Sequence, residues 1–435
     1  PPPPPFFFQA EDGIRHSSTS RGLGDVYKRQ NINFDSKTKE ELVHEIKKWK
    51  MLFQENYNVR KGEIVAISIL DVSHYHLSCL IACAELGLKI FIIDAPATKE
   101  SLPYTKLALH GPADYCVHHE FMGDELYDGL HGQMIREYSK ELIDTRELIF
   151  KEPNDFEMPN DVSENDIFMI SSTSGSTKPS RKIEFTHKEV FEMAKRNVDI
   201  FKFKPETLVL HTKNMHHASA MICTLLPSIM VSEYHRSFTL PQNLDWMSDV
   251  NILKQMIENE QYKINSSGGY HMTVPNQKIL EFLLTSVFPY FKNKTIISMC
   301  GFTLPEEYID YAKNYNLEFI SHYGSIDTGI PLLVNYLDKD SEYRSDCLGV
   351  SPDDFYEITV DSTTNASVSS QGWSEPRILD DVLYMKDNLY FLKGRTKKIN
   401  SVIGLNLPDD LDLDKFYQDT KLNMEQLRGH LKEIR

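Results

Sequence analysis

No apolar run in this 435-residue sequence is long enough to cross a bilayer, so no spanning helix is expected. Basic residues are also scarce: 47 Lys and Arg stand against 63 Asp and Glu, for a formal net charge of −16. A chain this acidic is a poor partner for nucleic acid or an anionic membrane, and any anion site has to be assembled locally. The six cysteines are scattered, with no paired spacing and no apolar leader. That usage fits a reducing cytosol rather than a disulfide framework, and a cytoplasmic location is expected. There is no internal repeat, and no Walker-type Gly-Lys-Ser/Thr loop running into a helix.

Residues 1–30 are set aside from fold reasoning. Homopolymer runs of proline and phenylalanine lead into QAEDGIR and then SRGLGDVYKRQ. Both strings resemble in-frame translations of oligonucleotides used in sequencing libraries, and the segment reads as a fusion scar rather than a Pro-rich tail. On that reading the natural N-terminus is not in the sequence. About 405 residues remain, enough for one large α/β unit or two to three domains.

From residue 38 the chain has a capping box, Thr38 with Glu41, followed by Leu42, Ile46, Trp49 and Phe53 on one helical stripe. A buried strand over 64–70, a helix over 74–86 closed by Gly87, and a second buried strand over 88–93 make a parallel βαβ unit. His74, His76, Cys79 and Cys83 suggest a metal site, yet Leu80, Ile81 and Ala84 among them are what a core helix shows, and core is the favoured reading. His118 and His119 have no partner spacing. Residues 101–165 show only continued α/β character. Further units follow: a helix over 188–198, a strand over 207–212, helices over 221–230 and 251–259, a unit over 265–273 with paired Gly268 and Gly269, a helix from 276, and strands over 295–299 and 317–321. From about 333 to 392 short β-like runs with polar turns indicate a small β subdomain.

Residues 171–181 carry seven Ser/Thr side chains and one glycine between two β-prone runs, 167–170 and 182–186. Backbone N–H groups of such a loop can form a nest for phosphate, surrounded by the hydroxyls of Ser174, Ser176 and Thr177 and the charges of Lys178 and Arg181. An ordinary Ser/Thr-rich surface turn is the other reading of the segment taken alone.

With that loop, a Tyr-Gly cluster at 322–329, an aspartate inside the β run and a late Gly394-Arg395, all in order, the chain over 36–412 resembles the adenylate-forming superfamily of acyl-CoA synthetases, luciferases and peptide-synthetase adenylation domains. The resemblance implies an α/β fold of doubly wound parallel sheets with helices on both faces plus a small β subdomain. It divides the chain into an α/β core at 31–332, a β subdomain at 333–394, and a hinge with the start of a C-terminal domain at 395–435. Thr173, Ser174, Gly175, Ser176 and Thr177 match the family's phosphate loop, with Lys178 in place of its second glycine and Arg181 in place of its lysine. By likeness Tyr323 stacks on adenine beside Gly301 and Gly324, Ser325 touches phosphate, and Asp327 stands for the glutamate that helps hold Mg²⁺. Asp381 matches the aspartate that grips the ribose hydroxyls, with Asp380 as a rival, and Arg395 the arginine beside ribose and phosphate.

The implied chemistry is attack of a carboxylate on the α-phosphorus of Mg·ATP, giving an acyl-adenylate and pyrophosphate, then capture by a thiol, commonly CoA. The expected partners are ATP and a small carboxylic acid. Amino-acid-activating relatives place an aspartate where this chain has His216-His217-Ala218-Ser219, which disfavours an α-amino acid. His217, with Gly268, Gly269 and Gly301, is the expected acyl-pocket lining, although a histidine packed at a strand end fits as well. The hinge position is Lys397 where the family commonly has aspartate. The sequence ends before the C-terminal domain that carries the family's catalytic lysine, and truncation is the expected reason. The competing reading is a nucleotide- or acyl-adenylate-binding protein that kept this fold and lost activity.

Overall fold

The structure is a computed structural model and describes residues 39–68, 74–93, 110–118, 138–145, 162–172, 182–211, 218–231, 234–237, 269–274, 277–287, 294–300, 304–326, 329–338, 340–342, 344, 346–360, 365–370, 375–379, 381–395, 401–402 and 405–406. All of them lie in the unit Phe34–Arg435.

The first helix, α1 (Lys39–Glu55), buries Ile46, Trp49 and Phe53 at helical spacing. It packs over β1 (Ile64–Ser68), α2 (His74–Glu85) and β2 (Lys89–Ile92). Gly87 ends α2 at φ +66°, with Leu88 N–H donating to Cys83 O (2.9 Å) and Gly87 N–H to Ala84 O (3.0 Å). This is a Schellman closure, and it sends the chain straight into β2 parallel to β1. The expected βαβ unit is present. The stretch that seemed least informative contains two more strands, β3 (Ala113–His118) and β4 (Ser139–Asp144), each joining in parallel. With β5 (Ile167–Ser172) and β6 (Lys182–Thr186) they complete a six-stranded sheet in the order β4-β3-β1-β2-β5-β6, whose last pair is antiparallel.

α3 (His187–Ile200) follows, then β7 (Leu208–His211), the helical run 218–231 (α4) and β8 (Tyr234–Ser237). α4 begins at Ala218, earlier than expected, and carries a π-turn at Met221–Leu225. The buried Asn197 amide donates to Ile222 O, a carbonyl of that turn, at 3.0 Å. The second sheet adds β9 (Tyr270–Val274), β10 (Thr295–Cys300), β11 (Leu317–Ser325) and β12 (Gly329–Leu337), in the order β12-β11-β10-β9-β7-β8. It is parallel except for β11 against β12. α3 and α4 serve both sheets. Val190, Met193, Met221 and Ile222 pack in the core of the first, Ile200 and Cys223 in that of the second.

Three-stranded sheets β13-β18-β17 and β14-β15-β16 make the small β subdomain, from β13 (Cys347–Gly349) through β14 (Tyr356–Thr359), β15 (Ser367–Ser370), β16 (Arg377–Ile378) and β17 (Asp381–Lys386) to β18 (Leu389–Arg395). Val334 and Val350 exchange backbone hydrogen bonds of 2.9 and 3.0 Å and tie it to β12. Gly349 permits that approach: its φ is +93° and a Cβ there would lie 2.0 Å from Val334 O. No helix among the described residues is long and apolar enough to cross a membrane.

Candidate functional site

β11 is longer than the sequence predicts. Instead of ending at Ser321 and releasing a glycine turn, it continues through His322, Tyr323, Gly324 and Ser325 and pairs with β12. The register slips between Tyr323 and Ser325, where Gly324 alone faces the three β12 residues 330–332; the extra residues lie on β12, and such a bulge re-aims the side chains beside it. Tyr323 is half-buried against the cluster of Leu332, Leu333, Tyr356, Leu379 and Leu383, which joins β12 to the subdomain. Its hydroxyl donates to Asp381 Oδ2 at 2.5 Å.

Asp381 opens β17 and is 4% exposed. A carboxylate so buried needs donors aimed at it, and a phenol at this distance is a strong one. Its backbone carbonyl accepts from Ala366 N–H at 3.2 Å, which fixes the strand start. Directly across the antiparallel ladder stands Arg395, the last residue of β18. Tyr323 from the second sheet thus meets Asp381 of the subdomain, and the backbone of Arg395 stands beside Asp381 in the ladder. Ser325 lies half-buried at the end of the same strand as Tyr323.

The expected phosphate loop does join two strands. Ser172 and Lys182 are cross-strand partners in the antiparallel β5–β6 pair, so the segment between them leaves and re-enters the sheet at one point. β6 passes directly into α3 through a capping box. Glu189 N–H donates to Thr186 Oγ1 at 3.2 Å, and Thr186 N–H donates to Glu189 Oε2 at 2.8 Å. His187 follows the cap, buried edge-on to Phe168 with ring centroids 5.1 Å apart. Burial holds its imidazole below the ordinary histidine value, against the opposing pull of Asp166.

Thr173, Ser174, Gly175, Ser176, Thr177, Lys178, Arg181, His217, Gly268, Gly301, Asp327, Asp380 and Lys397 lie outside the described residues. Gly269 has a backbone reason to be glycine: φ is +72°, and a Cβ would sit 2.4 Å from Lys294 O, where Tyr270 N–H donates. Cys79 and Cys83 are fully buried in the core of the first sheet, and burial, then Cys83, raises the Cys79 thiol pKa. No group of three or more His, Cys, Asp or Glu able to hold a metal occurs among the described residues.

Two features escaped sequence reasoning. Arg196 on α3 has a side chain only 6% exposed and lies beside the edge-on pair of rings Phe355 and Tyr356, 5.4 and 5.0 Å from their centroids. Its Nε donates to Asp353 Oδ2 at 2.5 Å and Nη1 to Pro331 O at 2.8 Å. His271, in the middle of the second sheet, is fully buried, stacks on Phe203 at 4.4 Å and has Nε2 3.0 Å from Ser298 Oγ. Neither carried a local motif. The only clue to His271 was a polar residue in an otherwise apolar run.

No protein-family model and no curated protein matches the sequence. Solved structures match the fold. Anthranilate CoA ligase AuaEII in complex with anthranoyl-AMP aligns with a TM-score of 0.65 at 15% identity, over 88% of this chain and 79% of that one. O-succinylbenzoate Coenzyme A synthetase from Bacillus subtilis, in complex with ATP and magnesium ion, aligns at 0.63 and 14% over 82% and 74%. The N-terminal domain of FACL13 from Mycobacterium tuberculosis aligns at 0.63 and 14% over 82% and 92%. At such identities the likeness is one of architecture, and this chain has the fold of the N-terminal domain of adenylate-forming synthetases.

Proposed function

We propose that the chain activates a carboxylic acid with ATP, forming an acyl-adenylate and pyrophosphate, and passes the acyl group to CoA. The observation that carries this reading is the meeting of Tyr323 with Asp381, with the backbone of Arg395 beside Asp381 in the ladder. A buried carboxylate accepts hydrogen bonds from paired hydroxyls such as those of ribose, an adjacent aromatic ring offers a face to a base, and an arginine offers charge to a phosphate. In this reading Tyr323 receives adenine beside Gly301 and Gly324, Asp381 the ribose, and Arg395 and Ser325 the phosphate side.

The segment 173–181 would wrap the polyphosphate. Its ends are held together by the Ser172–Lys182 pairing, and Thr173, Ser174, Gly175, Ser176, Thr177, Lys178 and Arg181 supply hydroxyls, backbone N–H groups and charge. Mg²⁺ arrives as the counter-ion of ATP, and Asp327 is the oxygen ligand assigned to it. Displacement at phosphorus asks mainly for alignment and charge neutralisation, which these groups are suited to provide. His217 with Gly268 and Gly269 is assigned to the acyl end, and a carboxylic acid without an α-ammonium is the substrate class. The neighbours bound to ATP and to anthranoyl-AMP support this reading.

A second reading, an adenylate-binding protein of low activity, is favoured by one observation: Lys178 stands where a flexible glycine is expected. Calorimetry with a non-hydrolysable acyl-sulfamoyl adenosine, followed by pyrophosphate release with a panel of carboxylic acids, tests both. Binding with turnover supports the ligase, binding without turnover supports the second reading, and no binding refutes both.

A further inference from the structure

Arg196 is buried far more deeply than an arginine serving only as a surface tie. It projects from α3, the helix that begins at the end of the expected phosphate loop's return strand, and reaches 157 residues along the sequence to Asp353. One edge of the guanidinium holds the subdomain through Asp353 (Nε, 2.5 Å), and Nη1 holds β12 through Pro331 O (2.8 Å). Phe355 and Tyr356, packed edge-on against each other, both lie within 5.4 Å of it. Asp353 is itself braced: its Oδ1 accepts from Phe355 N–H at 3.1 Å, and its carbonyl accepts from Ser351 Oγ at 2.8 Å.

Pro331 is two residues before Leu333, the cross-strand partner of Tyr323, and Tyr356 belongs to the same apolar cluster as Leu379 and Leu383, which flank Asp381. The two ends of the Arg196 contact therefore lie on the two bodies whose relative seating brings Tyr323 to Asp381. We propose that Arg196 is a positioning residue for this edge: by locking the subdomain to β12 and α3, it sets the Tyr323–Asp381 contact and with it the affinity for nucleotide. The proposal rests on the nucleotide reading of that edge. A planar fork suits the role because it holds two partners in fixed directions, whereas a lysine ammonium at the same place fixes neither. Arg196 does not touch the nucleotide in this account; it acts through Asp381.

The test uses the full chain and an acyl-sulfamoyl adenosine probe in calorimetry, with thermal melts and circular dichroism confirming folded protein at the working temperature. Arg196→Lys keeps the charge and loses the fork. Asp353→Asn is the milder variant, since it keeps the stacked arginine and weakens only the tie. Each is expected to lower affinity about ten-fold, because a shift well under 1 Å at a preorganised site has effects of that size. In Asp381→Asn background the same substitutions should cost less than two-fold, since the contact they position has already been weakened. If both variants bind as the unaltered chain does while melting lower, or if their effects multiply fully with Asp381→Asn, Arg196 is a structural tie and the proposal is overturned. Absence of binding by the unaltered chain overturns the nucleotide reading and the proposal with it.

Discussion

His271 should make the protein lose stability in mild acid, above the ordinary carboxylate range. It is completely buried between Phe201, Phe203 and Ser298, and burial pushes its pKa from an ordinary 6.5 down to about 3, the Phe201 backbone opposing only in part. The folded state thus holds it neutral while the unfolded state binds a proton below about pH 6.5. Stability is fully present above that value and falls as pH drops, at about 1.4 kcal/mol per pH unit, until the folded value near 3 is reached. Between pH 7 and pH 5 the single group accounts for about 2 kcal/mol, and this window lies above the range in which carboxylates protonate. Urea unfolding at the two pH values, on the unaltered chain and on His271→Gln, measures it as a change in midpoint at constant slope. The variant is expected to be less stable at pH 7 through lost packing, yet to lose about 2 kcal/mol less on going to pH 5. His187, also held neutral by burial, contributes to both proteins and cancels in the difference. Equal losses in both would refute the buried, uncharged imidazole.

Tyr323→Phe removes the donor at 2.5 Å from a buried carboxylate; about 2 kcal/mol of stability should be lost, and affinity for the adenosine probe should fall, as read by urea melts and calorimetry. Gly349→Ala meets both a positive φ and Val334 O at 2.0 Å, and should cost about 3 kcal/mol or more in thermal or urea unfolding. Glu318 is nearly buried between Lys202 and Lys294, and although burial works to raise its pKa, the two lysines bring it below the ordinary value. Its contribution is present above the usual glutamate range and lost as pH falls through the lowered folded value. Because both lysines are largely exposed, Glu318→Gln should cost only about 1 to 2 kcal/mol at pH 7 and nothing in strong acid, measured by urea titration at both.

What could be read in advance was what local chemistry writes down. Gly87 after an apolar helix announces a Schellman stop, and the βαβ unit around it formed as expected. The apolar runs at 167–170 and 182–186 announced the hairpin pair, and the order of motifs brought Tyr323 and Asp381 into one neighbourhood, where they touch. Long-range events had no such signature. β11 outran its apolar run because β12 returns to pair with it, and pairing overrides the turn signal of Gly324. The close pass of Lys294 O, which leaves no room for a side chain at Gly269, is another such event. Arg196 was one charged residue on an amphipathic helix until Asp353 met it from 157 positions away.

The pairing of Ser172 with Lys182 has a consequence for the segment between them. Bringing the two ends of any chain segment together carries an entropic penalty, and between Ser172 and Lys182 that closure is held by the β5–β6 ladder outside the segment. The closure itself therefore asks nothing of the residues at 173–181. If 173–181 wraps phosphate as proposed, exchanging it for a glycine-richer version should move binding of the adenosine probe far more than the unfolding midpoint.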